Sequence, residues 1–96
     1  MVSEMAAARQ RLVEAPASDV IANHAMGLFE LAALHLSAQE PNFTEATLAI
    51  DAMAAIVEGL SGRLAQAEPT LQEGLQQLRM TYVQLKNQME PGTDDA

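Results

Sequence analysis

Few side chains in this 96-residue chain are equipped for chemistry: two histidines, four serines and thirteen carboxylates, with no cysteine. Imidazole pairs are a frequent start to a zinc site. On one helix His24 and His35 would face a similar side, but at 1.5 Å rise per residue they stand about 16 Å apart. That is too far to share an ion, and neither has an acidic residue four positions away. Both are expected at the edge of a core. A symmetric dimer setting one beside its copy is the remaining metal option. Glu30 stands among apolar neighbours, and a carboxylate held in a pocket is a general acid or base in waiting. Asn23 and Ser37 share its seam at a spacing of seven, however, which predicts a solvated edge or an inter-helix hydrogen bond. Ser18, Ser37 and Ser61 have no base placed by spacing, and there is no glycine-rich phosphate loop. The residues thus nominate no catalytic, cofactor-binding or metal site, and the protein is expected not to be an enzyme and to need no cofactor.

The elements that position these residues are helices. Apolar types make up 49% of the chain, with eighteen alanines, six methionines and only three aromatics. Alanine and methionine favour helix over strand, and no run alternates in the manner of a strand. Pro16, Pro41, Pro69 and Pro91 divide the sequence, because proline disfavours helix in the residue before it and suits a first turn. Four pieces result. The first, Ser3 to Glu14, has a weak stripe of Met5, Ala8 and Leu12, and is too short to persist without docking. The second follows Pro16, with Ser18 as expected N-cap and Asp19 at the positive end of the dipole. Its stripe is Ile21, Ala25, Leu28, Phe29, Ala32 and Leu36, widened by Val20, Leu31 and Leu34. The third follows Pro41, with Asn42 and Glu45 spaced as a capping box. Its stripe runs from Phe43 through Ala46, Ile50, Met53, Ala54, Val57 and Leu60 to Leu64, and Gly62 is the expected left-handed cap. The fourth has Pro69 in its first turn and a heptad seam of Leu71, Leu75, Leu78, Tyr82, Leu85 and Met89.

Short loops make successive helices antiparallel. The expected fold is all-α: a small antiparallel bundle of three main helices with the short first helix packed across them. Residues 1–90 form a single domain and 91–96 a disordered acidic tail.

The third helix is apolar on both sides of a thin polar seam, Thr44, Asp51 and Glu58. A three-helix bundle needs one stripe per helix. Surplus apolar surface marks an interface, and two-fold dimers are the commonest assembly. The expectation is a homodimer through the back of this helix. Leu48, Ala52, Ala55 and Ile56 form the interface, with Met80 and Val83 from the fourth helix. Gly27, Gly59 and Gly74 would permit close helix approach. In the alternative, the first helix covers that back face within one chain.

Thirteen acids against five bases give a net charge of −8, which repels nucleic acid and anionic membranes. No direct nucleic-acid or membrane contact is expected. The longest apolar region, Ala25 to Leu36, is broken by Glu30 and His35 and is too short to span a bilayer. With no visible leader and no cysteine, the expected location is cytoplasmic.

The pattern Pro16-x-x-Asp19-Val20-Ile21, then Glu45-Ala46-x-x-x-Ile50-Asp51-Ala52 with Val57, then Leu71-x-x-Gly74-Leu75-x-x-Leu78, resembles the bacterial domain of unknown function 1844 family in its short actinobacterial form. The resemblance covers about residues 11–87. It implies a helical fold and a cytoplasmic setting, and it carries no established activity. Genes of that family tend to neighbour those of a translation initiation factor and two large-subunit ribosomal proteins, which implies a translation-linked role. Three functions follow as expectations. The first is a dimeric protein-protein interaction module. The second is a ribosome- or translation-associated binder of basic proteins. The third is a carrier of a small apolar ligand between helices.

Overall fold

The structure, a computed structural model, describes residues 3–89. These form four α-helices: α1 (Glu4–Glu14), α2 (Ala17–Ser37), α3 (Phe43–Gly59) and α4 (Glu68–Met89), with a 3-10 turn at Ala65–Ala67 before α4. No strand occurs among the described residues, and none of the helices is long and apolar enough to cross a membrane. The expected tail lies outside the described residues.

Helices α2 and α3 make the most extensive packing in the molecule, and α4 packs against both. Their faces follow the 3.6-residue period. Helix α2 turns Ala22, Ala25, Ala32 and Leu36 inward; α3 buries Ala46, Ala49, Ile50, Met53, Ala54 and Val57; α4 buries Leu71, Leu75 and Leu78. The many buried alanines let helix axes approach closely. The largest fully buried side chains are Met53, Leu64, Leu71 and Val57, each contributing about 1.5–3 kcal/mol of burial. Of the glycines expected at close approaches, only Gly74 sits at one: a Cβ there would come within 3.2 Å of the Phe29 ring, whereas Gly27 and Gly59 face open space.

The helix ends differ in part from their expected chemistry. Asn42 does cap α3, its side chain accepting from the Glu45 N–H at 3.1 Å. Ser18 does not cap α2. The helix begins earlier, at Ala17 directly after Pro16, and has no side-chain cap, because proline at the cap already holds φ near its helical value. Helix α3 stops at Gly59, so Leu64 is not on its stripe. Leu64 is buried instead from the turn that follows. Gly62 is left-handed as expected, at φ 83, but lies within that turn, and Ala65 is left-handed too, at φ 55. A carboxylate ties the turn together. Glu68 accepts from the backbone N–H of Gly62, at 2.7 and 2.9 Å, and of Leu64, at 3.2 Å. Those N–H groups, Gly62 first, hold the Glu68 carboxyl below its ordinary value of 4.5.

The first helix is not packed across the bundle. Helix α1 is capped by Ser3 but buries no residue. The reason is in its link to α2. Ala15 (φ −75, ψ 140) and Pro16 (φ −59, ψ 135) are both extended, the conformation that proline imposes on itself and on its predecessor. Two extended residues carry the chain onward and supply no turn to fold α1 back. The molecule is correspondingly elongated, at 67 × 29 × 15 Å with a radius of gyration of 17.3 Å, against about 12.5 Å for a compact chain of this length.

Candidate interaction surface

The groups that might have done chemistry are dispersed. His24 is exposed, its Nδ1 lying 2.8 Å from the Val20 carbonyl oxygen, to which the ring N–H can donate. His35 is half-buried, and Glu30 is exposed on the outer side of α2. Among the described residues no three of the His, Asp and Glu side chains gather in a way that could hold a metal ion. No buried side-chain nitrogen or oxygen among them lacks a hydrogen-bond partner.

What the surface does offer is apolar area. Among the described residues, large hydrophobic side chains stand exposed on every helix: Met5, Leu12 and Val13 on α1; Leu31 and Leu34 on α2; Leu48 on α3; Met80, Val83 and Met89 on α4. Met89, expected on the α4 seam, overhangs the end of the bundle because α3 begins only at Phe43, which already packs beside Tyr82.

The six residues expected to form one interface do not form one patch. Leu48 and Ala55 are exposed on the side of α3 away from the core, with Ala52 half-buried beside them. Ile56 is half-buried and packs against the core, which makes it largely a core residue. Met80 and Val83 are exposed on α4, but polar groups separate them from the α3 set. Asp51, Thr47 and Arg79 line the cleft that holds Val83 and Tyr82, and Arg79 pairs with Glu58 across it at 3.0 Å. Asp51 and Glu58 of the thin seam therefore serve the contact with α4, while Thr44 is exposed. At the other end of the same contact Phe43 and Tyr82 meet edge to face at 5.7 Å, with the Lys86 Nζ 5.0 Å from the Phe43 centroid.

At 100° per residue, α4 occupies one side of the α2–α3 pair: Phe29 and Ala33 of α2 line clefts with it, as do Thr47 and Asp51 of α3. Gly27, Leu31 and Leu34 of α2 and Leu48 and Ala55 of α3 are exposed away from the core, with Ala52 half-buried. An apolar cleft of about 400 Å³ also lies between α2 and α4, lined by Phe29, Ala33, Leu36, Leu78, Thr81 and Leu85 among others.

Sequence reasoning missed two parts of this surface. The stripe of Met5, Ala8 and Leu12 was legible, but its lack of an intramolecular partner was not. The signal was Pro16 itself, two residues after the helix end. Leu31 and Leu34 were assigned to a widened core face; they lie beyond the arc that two neighbouring helices can cover.

Charge is distributed unevenly over these elements. Residues 17–62, spanning α2, α3 and their turn, hold Asp19, Glu30, Glu40, Glu45, Asp51 and Glu58 and no lysine or arginine, whereas α1 is neutral, with Arg9 and Arg11 balanced by Glu4 and Glu14. No family model matches the chain, and no curated protein and no solved structure matches it either, so no role passes to its residues from a relative.

Proposed function

We propose that this protein is a homodimeric helical interaction module that works by binding rather than by catalysis. The observation that carries the reading is surface area. The chain exposes 6864 Å², about 1,500 Å² more than the ~5,400 Å² of a typical folded monomer of its mass. The exposed leucines, methionines and valines supply apolar contact of the kind homodimer interfaces use. The absence of cysteine suits a cytoplasmic setting.

Light scattering at micromolar concentration tests this. A particle of about twice the 10.3 kDa chain mass is expected; a mass of one chain overturns the reading.

A second reading is favoured by charge: α2 and α3 with their turn hold six acids and no lysine or arginine, so a basic protein would be the partner, in line with the translation-linked role that the family resemblance implies. Salt-sensitive co-sedimentation with ribosomes is then expected, and none at low salt removes it.

A further inference from the structure

The six residues expected to form an interface do not gather into one patch, so the docking of two finished surfaces does not account for a dimer. The buried seam of α4 does. Apolar residues recur at a constant spacing of seven from Phe43 in α3 to Leu85 in α4. The five from Ile50 to Leu78 are buried, and Phe43 and Leu85 pack against them at the ends. The middle member is Leu64, in the turn between the helices, so the two halves of the seam lie at equal distances from it. The turn folds them together within one chain: Phe43 meets Tyr82 and Glu58 pairs with Arg79. An opened turn keeps that spacing. Two chains laid antiparallel about a two-fold axis at Leu64 set each α4 on the other's α3 in the register that it has on its own.

Helix α4 is also the bundle helix held least firmly. Helices α2 and α3 pack most extensively on each other. Helix α4 lies on the pair with a cleft along either flank, about 400 Å³ beside α2 and about 210 Å³ beside α3. The turn that folds it back is strained. Ala65 has φ 55, a left-handed conformation that crowding of Cβ against the carbonyl disfavours in alanine. Residues 60–67 link the two helices and reach about 26 Å when extended. Pro69 suits the first turn of a helix, so α4 keeps its start when the link opens.

We infer that the dimer forms by exchange of α4: the turn at residues 60–67 opens, and each α4 packs its Leu71, Leu75 and Leu78 seam on the α2–α3 pair of the other copy. The inference rests on the dimer reading and says which contact makes the dimer. It needs no new surface, because α4 makes between copies the contacts that it makes within one chain. Opening the turn also releases Ala65 from its left-handed conformation.

The chain has no cysteine, so a thiol pair can report which chain each α4 belongs to. Arg79 and Glu58 stand 3.0 Å apart across the α3–α4 contact, with side chains 43% and 59% exposed, so E58C/R79C leaves the core intact. The equilibrated dimer is treated with a short bis-maleimide and run on a denaturing gel. A band of two chains is expected, because each thiol pair then joins two copies, and E58C or R79C alone is expected to give a band of one chain. Ala65→Gly is expected to raise the dimer Kd about tenfold or more in sedimentation over a concentration series, since glycine accepts the closed turn without strain in both copies. Circular dichroism checks that each variant keeps its helices. A wild type that sediments as a single chain overturns this inference and the dimer reading together. A dimer in which E58C/R79C cross-links within one chain overturns the exchange alone. So does a two-chain band that the single-cysteine variants give equally, or a Kd that Ala65→Gly leaves unchanged.

Discussion

Helices α1 and α3 are both alanine-rich and both properly capped, yet α3 buries six residues and α1 none. Alanine does not separate them: α1 has four charged residues among eleven and α3 three among seventeen, so the width of the stripe differs, and the connection differs too. Helix α3 has apolar residues on most of its circumference, and a five-residue turn reverses the chain so that α2 lies along it. Helix α1 has one narrow stripe and a two-residue extended link that sends it outward. A helix's sequence thus advertises what it can bury, while the joint next to it decides whether its own chain supplies the partner.

Core substitution should split the two regions most widely. Met53→Ala empties a fully buried site in α3 and is expected to cost about 2–5 kcal/mol, much of the stability of a domain this small. Leu12→Ala, measured where the protein is monomeric, is expected to change unfolding by less than about 0.5 kcal/mol. Urea denaturation of both variants checks this, and equal losses would mean that α1 belongs to the folding unit.

The caps give a smaller contrast. Asn42 and Ser3 make the same bond, side-chain oxygen to a backbone N–H three residues on, each at 3.1 Å. Asn42→Ala is expected to destabilise the bundle by about 1 kcal/mol. Ser3→Ala is expected to leave the global midpoint unchanged and only speed amide exchange in α1, because fraying there is local.

The smallest effect lies in pH. The Gly62 and Leu64 N–H groups hold the Glu68 carboxyl below 4.5 in the folded chain, so folding favours its ionised form. That contribution is fully present above pH 4.5 and is lost as the pH falls through the lowered folded value. Glu68→Gln is therefore expected to flatten the fall in melting temperature on the acid side of about pH 4.5 while leaving α1 exchange untouched. An unchanged acid profile would show that the turn does not depend on this carboxylate.

Much of the bundle was legible. The heptad spacing from Leu71 to Leu78 and the stripe from Ala46 to Val57 named core residues correctly, because periodicity reports directly which side chains share a face. The candidate surface was legible only by subtraction. Leu48 and Ala55 stand outside because they exceed the inward arc. Ile56, assigned to the same back face, was drawn inward because α2 lies to that side of α3, and no pattern within α3 says on which side its neighbour falls. Leu64 shows the same limit: its spacing continued the α3 stripe, but the chain turned at Gly59 and buried it from a different direction.

By itself the sequence determined that this chain is helical, where most of its helices lie, most of the residues that face inward and that charge is acidic, since these depend on propensity, proline placement and local periodicity. Only the tertiary structure decided that α1 stands away from the bundle, that Asp51 and Glu58 of α3 meet α4 and that Glu68 closes the turn before α4. Those outcomes depend on the relative positions of segments distant along the chain, set by a few backbone angles at Ala15, Pro16, Gly62 and Ala65; Pro16 and Gly62 are visible as residue types, but the pattern does not say how the segments they join will sit.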